Sequence, residues 1–290
     1  GNDGGGGSSG CVGFGCNQDP DGGGPKPGCV KLECQQVQCE PGKTTSLKGT
    51  VLDPAGKVPI FNAQVYVPND PVGPITEGAS CDRCDAKISS NPVAITQTDT
   101  SGAFTLTNVP VGAEIPLVIQ IGKWRRQVKI PNVPSCAETP LDAGLTRLPR
   151  SRAEGDIPRI AVATGAADPL QCLLKKIGID PTEFGTAGGQ ERIHLYKGEG
   201  FDDSGTPRLA SSKFTNNTDF AAAETLWGTT AELSKYDVVL LACEGHENDS
   251  VGHKPPAAKQ ALYDYAKAGG RVFTTHFHHT FFSGSPDPAP

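Results

Sequence analysis

The chain has 290 residues, a formal net charge of −6 and only 6% aromatic residues. The acidic balance speaks against nucleic acid as a partner. The length suits about two domains, and no run of 18 apolar residues offers a membrane span.

Residues 1–45 form a Gly/Pro/Cys-rich leader with too few apolar residues for a core of its own. Any fold there must be stapled. The start, GNDGGGGSSG, reads as a flexible tether, and a lipid anchor upstream of Gly1 is the expectation it raises, beside ordinary signal cleavage. Ten cysteines occur, at 11, 16, 29, 34, 39, 81, 84, 136, 172 and 243. Their even number and their density before residue 140 favour disulfides in an oxidising compartment. The disulfide candidates are Cys11, Cys16, Cys29, Cys34, Cys39, Cys81, Cys84 and Cys136. Zinc is the alternative for Cys81-Asp-Arg-Cys84, but no second CxxC accompanies it.

From Leu47 to Gly112 the pattern alternates. Asp53-Pro54-Ala55-Gly56 is a turn signal, and Ala63, Val65 and Val67 fall on one face of a strand. Asp99-Thr100-Ser101-Gly102 reads as a hairpin turn, with Phe104 and Leu106 on one face beyond it. Ile115–Ile121 is a further strand, followed by Gly122-Lys-Trp-Arg-Arg-Gln-Val128. Short antiparallel strands with one buried face predict a β-sandwich over residues 46–148. Trp124, Arg125 and Arg126 are a candidate ligand platform for sugars or anions, against the plainer reading of a half-buried Trp beside solvated arginines.

Gly49-x-Val51, Asp53-x-x-Gly56, Ala63-x-Val65, Thr98-Asp99-x-x-Gly102-x-Phe104 and Val109-Pro110-x-Gly112 together resemble the carboxypeptidase regulatory-like domain, a transthyretin-like seven-stranded sandwich. The resemblance implies an accessory module of secreted and surface proteins, without catalytic residues. The segment Asn69–Asn91 is an insertion relative to it.

Residues 149–157 are polar and patternless, and are expected to be a linker. From Pro158 the period changes. Arg159–Thr164 reads as a buried strand, and Asp168-Pro169 as the cap of a helix carrying Leu170, Leu173, Leu174 and Ile177. Ile193–Tyr196 is a candidate strand, and Phe220–Leu233 holds a helical turn or two. Tyr236–Ala242 is a buried parallel strand. Lys254–Ala268 is a helix with Leu262, Tyr265 and Ala266 inward, and Arg271–Thr275 is the next strand. Alternating strands and helices over 158–282 predict a parallel sheet of flavodoxin-like type, with 283–290 as a linker-like tail.

Ligands gather at the C-terminal ends of such strands. Those ends carry Thr164-Gly165, Cys243-Glu244-Gly245-His246 and His276-Phe277-His278-His279. Cys243, Glu244 and His276 are the catalytic candidates, and His246, His276 and His278 the metal candidates. Zinc is the ion their type would take, with His276 and His278 sharing a strand face. No cofactor is otherwise expected. The plainer readings are a polar strand end, and a Cys243 that is a small buried residue or the disulfide partner of Cys172.

Tyr236-Asp-Val-Val-Leu-Leu with Ala261-Leu-x-x-Tyr265-x-x-x-Gly269-Gly270-Arg271-Val272 resembles the class I glutamine-amidotransferase-like fold and its trehalose-utilisation-like relatives. The nucleophile elbow of that family, Gly-x-Cys-x-Gly, here reads Thr274-Thr275-His276-Phe277-His278, so the resemblance implies no amidotransferase activity. The whole arrangement resembles secreted bacterial proteins with a Cys-rich leader, one sandwich and this α/β half, which usually continue further. The expected function is a secreted or surface-anchored, non-catalytic binding or structural protein, with self-assembly through sandwich and leader as one version of it. Its expected partners are extracellular proteins, glycans or its own copies. The alternative is a metal-assisted hydrolase or carbohydrate-modifying enzyme using the strand-end cluster.

Overall fold

A computed structural model describes residues 28–81, 88, 90–199, 212–247 and 254–283. The fold is rich in β-structure, with several sheets and few helices. Cys11, Cys16 and Cys84 lie outside the described residues.

Residues 46–156 supply β1 (Ser46–Thr50), β2 (Gln64–Pro68), β3 (Pro92–Gln97), β4 (Ala103–Thr107), β5 (Gly112–Ile121), β6 (Trp124–Val133), β7 (Glu138–Pro140), a short helix α1 (Ala143–Thr146) and β8 (Gly155–Asp156). One sheet runs β4-β1-β7 and the other β3-β2-β5-β6-β8. Their inward faces share one core, with Leu47, Phe104 and Leu106 from the first sheet meeting Val65, Val67, Leu117, Ile119 and Ile130 from the second. The period-2 reading of Ala63, Val65 and Val67 holds, as all three are fully buried.

Turn chemistry sets the corners. At 53–58 the Asp53 carboxylate accepts the Lys57 and Val58 amides at 2.7 and 3.1 Å, and Gly56 takes φ +71°. At 99–103 the Asp99 carboxylate accepts from Ser101 and Ala103, which lowers its pKa. This second turn does not close a hairpin, because β3 and β4 lie in different sheets. Thr98 ties the end of β3 to Ala63 and Ile60, and the Gly102 carbonyl then accepts from Val51 beside β1. The chain therefore changes layer at this point.

The expected linker is also corrected. Gly155 and Asp156 pair antiparallel with Arg126 and Arg125, so β8 extends the second sheet. Arg147 and Glu154 brace the approach to it with two contacts of 2.7 and 2.6 Å.

Two disulfides staple the leader: Cys29–Cys34, and Cys39–Cys136 across 97 residues. Bonds of this kind belong to an oxidising compartment outside the cytoplasm. Among the described residues no helix is long and apolar enough to cross a membrane. Cys81, expected in a disulfide, is a free exposed thiol, and so is Cys172.

Residues 160–281 build the second unit from β9 (Ile160–Thr164), α2 (Leu170–Lys176), β10 (Phe184–Thr186), β11 (Ile193–Lys197), β12 (Ala221–Ala222), α3 (Ala223–Trp227), α4 (Thr230–Leu233), β13 (Val238–Leu241), α5 (Pro256–Lys267) and β14 (Arg271–Thr274). Its named strands pair in parallel, in the order β10-β11-β9-β13-β14, with β12 also on β11. Helices α3, α4 and α5 cover one face through Leu226, Trp227, Leu233, Leu262 and Tyr265. Helix α2 covers the other through Leu170 and Leu174. The inward set differs from expectation at two positions: Leu173 is 48% exposed, and Ala266 faces solvent while Ala258 and Ala261 are buried.

The two units share a polar seam. Lys123, at the tip of the β5–β6 hairpin, donates to Asp237 at 2.6 Å and to the Gly78 carbonyl at 2.7 Å. Trp124 packs against the cores of both units. The insertion after β2 lies along the second unit: Ala79 donates to the Ser234 carbonyl at 3.0 Å, and Glu77 pairs with Arg192 at 2.5 Å. At Gly178 (φ +96°) any side chain would run into the Ala55 backbone, so the 53–58 turn seats directly on the end of α2.

Candidate functional site

The parallel sheet reverses direction between β9 and β13. From β9 the chain goes outward to β10 and β11, then crosses to β13 and β14. Such a switch point opens a crevice at the carboxyl ends of the strands. The register fixes what lines it. Thr164 pairs with Lys197, Ala163 with Leu241, and Leu241 with Thr274. One or two residues further on come Gly198, Gly165, Cys243 and His276, each at the end of its own strand. A Cβ on Gly165 would strike the Cys243 carbonyl, and one on Gly198 would strike the Thr164 carbonyl. The backbones therefore approach one another closely at these strand ends.

Cys243 is held by its main chain from both sides. Its amide donates to the Asp168 carboxylate, and its carbonyl accepts the Ala167 amide at 3.1 Å. Asp168 therefore serves this loop; Pro169 occupies the cap position of α2. Cys243 is 2% exposed. His276 Nδ1 lies 3.3 Å from Sγ, and the Gly245 amide donates to Sγ at 3.4 Å. Cys243 is a free thiol, which rules out its pairing with Cys172.

His276 is exposed and sits at φ +42°, a left-handed conformation that few side chains adopt. β14 ends at Thr274, and His276–Phe281 is a 3-10 turn. This corrects the expectation that His276 and His278 share a strand face. The 3-10 turn sends them apart: His278 is buried, edge-on to Trp227 and stacked on Phe281. His246 is exposed and stacks with Phe277.

Glu244 is fully buried. It pairs with Lys254 at 2.7 Å, accepts the Glu199 amide at 3.2 Å and lies 3.8 Å from His278. Lys254 also donates to the Glu247 carbonyl at 3.0 Å. Glu244 and Lys254 thus tie the end of β11 to the loop after β13. Among the described residues no group of three or more His, Cys, Asp or Glu has the geometry to hold a metal ion. Lys254 is a site residue that the motifs of the sequence do not mark. Its signal was a lysine immediately before a helix N-terminus, where the dipole favours an acid.

The Trp124 platform is turned inward. Trp124 is half-buried at the seam. Arg125 is buried on Asp156 at 2.8 Å, and Arg126 donates to the carbonyls of Gly144 and Arg147. Both guanidinium groups spend donors on the protein itself.

No protein-family model matches the chain, and no curated protein does. Similar solved structures include a type II cohesin–X-dockerin complex from Acetivibrio cellulolyticus, at 14% identity over 47% of this chain and 85% of that one, with a TM-score of 0.25. The major pilin subunit BcpA of Bacillus cereus matches at 17% identity over 38% of this chain and 31% of that one, with a TM-score of 0.21. The dioxygenase domain of a dioxygenase carbohydrate-binding protein fusion from Streptomyces sp. SirexAA-E matches at 15% identity over 64% and 93%, with a TM-score of 0.17. Likeness at these scores carries no argument about what the chain does.

Proposed function

We propose that the protein is an exported binding or assembly protein, working at a cell surface or outside the cell. In this reading the two-sheet unit is a transthyretin-like sandwich of the carboxypeptidase regulatory-like type, and is itself non-catalytic. It carries a flavodoxin-like, amidotransferase-related unit in a fixed pose. The leader, tethered upstream by a lipid or by its own length, meets extracellular proteins, glycans or further copies of the chain.

The observation that supports this reading is the way the leader is built in. Cys39 is bonded to Cys136, Leu32 packs on the sandwich core, and Val111 donates to the Gln35 carbonyl at 2.9 Å. The Gln36 side chain reaches the carbonyls of Asn108 and Val93 at 2.5 and 3.1 Å. Residues 32–39 are thereby fastened to one corner of the sandwich.

Sedimentation velocity over a concentration series tests the assembly reading. Oxidised full-length chain is expected to associate reversibly, and a Cys39→Ser, Cys136→Ser variant to lose that association while still sedimenting as a compact species. A wild-type chain that stays monomeric to its solubility limit would count against self-assembly.

A further inference from the structure

We propose that Cys243 is a nucleophilic thiol, with His276 as its proton partner, and that it takes the acyl group of a small carbonyl ester. This goes beyond the binding reading and does not depend on it. Three observations converge. The pair sits at the switch point of a parallel sheet, on neighbouring strand ends that the register places side by side. Two nitrogen groups, His276 Nδ1 at 3.3 Å and the Gly245 amide at 3.4 Å, face one sulfur. Both stabilise it as a thiolate once the imidazole holds the proton. His276 is also held in a strained left-handed conformation, where it presents its ring to the sulfur from an exposed position.

The electrophile class follows from the surroundings. The sulfur is almost covered, so its partner must be slim, and a planar ester carbonyl is. An imidazole beside the thiol is the group that an acyl leaving group needs. His276 takes the thiol proton. The sulfur then forms a C–S bond to the carbonyl carbon as the C=O π pair moves onto oxygen. When the C=O bond re-forms, the C–O bond to the leaving group breaks, and the alkoxide departs with the proton from His276. Water, deprotonated by His276, adds to the thioester; the C–S bond breaks, the acid is released and the thiol is restored.

The test uses the full-length, disulfide-intact chain and p-nitrophenyl acetate, with acid quenching and peptide mass mapping. Cys172 and Cys81, both free and exposed, serve as internal standards. The expected result is acetyl on Cys243 well ahead of Cys172, with a nitrophenolate burst that Cys243→Ser abolishes. His276→Asn keeps a residue that tolerates positive φ while removing the base. It should slow Cys243 acetylation by about 100-fold, the scale of a lost acid–base partner. Acetylation of Cys243 no faster than that of Cys172 would overturn the proposal, and so would an unchanged rate in a folded His276→Asn protein.

Discussion

Lys123→Met should uncouple the two units. The Lys123 ammonium and the Asp237 carboxylate are 5% and 1% exposed and 2.6 Å apart. The same ammonium holds the Gly78 carbonyl, and the other Asp237 oxygen accepts the Arg159 amide at 2.5 Å. Removing the cation leaves a buried carboxylate beside the neutral Arg159 amide. Breaking a buried pair from one side costs roughly 3–5 kcal/mol. With a urea dependence of about 2–3 kcal/mol per molar, the midpoint should fall by about 1–2.5 M. The chain's two tryptophans report separately, since Trp124 sits at the seam and Trp227 in the core of the second unit. In wild type the two signals should melt together. In Lys123→Met the Trp124 signal should move first. Lys123→Met combined with Asp237→Asn should recover part of the loss, because no buried charge remains unpaired. A single-variant cost below about 1 kcal/mol, or additive singles, would refute the reasoning.

Loop length separates the two disulfides. Opening Cys39–Cys136, 97 residues apart, should cost about 4–5 kcal/mol, while opening Cys29–Cys34, five apart, should cost about 2 kcal/mol; calorimetry of the two Cys→Ser double variants measures both. Burial, as the main cause, holds the pKa of His194 below the usual 6.5. The unfolded chain therefore takes up the proton first, and stability should fall as pH drops below about 6.5; His194→Gln should flatten that slope in melting curves between about pH 7 and 5. The Arg147 guanidinium pulls Glu154 from 4.5 down to about 2. Its contribution is full above about pH 4.5 and is lost as pH falls toward 2, so Glu154→Gln should remove stability at neutral pH but not at pH 2. Gly178→Ala should cost more than about 1 kcal/mol in urea melts, since it adds strain at φ +96° to a clash with the Ala55 backbone.

Local chemistry made much of this fold readable. Ala63, Val65 and Val67 announced a buried face, and Asp53 and Asp99 announced their turns, because period and carboxylate-capped turns act over a few residues. The layer switch at Gly102 was not readable, because a turn motif does not say which strand its exit will pair with. β8 was hidden for a similar reason: Gly155-Asp156 has no apolar period, and its place depends on Arg125 finding Asp156. At the candidate site, the strand ends could be placed from sequence, and Cys243 and His276 fell beside each other as their strands predict. The histidine run misled, because alternation implies a shared face only while the strand lasts, and here the strand stops at Thr274.

The buried Glu244–Lys254 pair decides how the site should be understood. A carboxylate with no exposure, already accepting an ammonium and a backbone amide, has little left to offer a cation from solution. Burying such a pair is costly unless both ions are fully hydrogen-bonded. Here Glu244 joins the chain after β11 to the chain after β13, and Lys254 carries the link to Glu247 and the start of α5. Asp168 fixes the Cys243 amide from the β9 side. The Cys243 main chain is thus fixed from the β9 side, whereas His276 reaches the sulfur from an exposed turn with a strained backbone. Chemistry at these strand ends would then depend on His276, the exposed member of the pair.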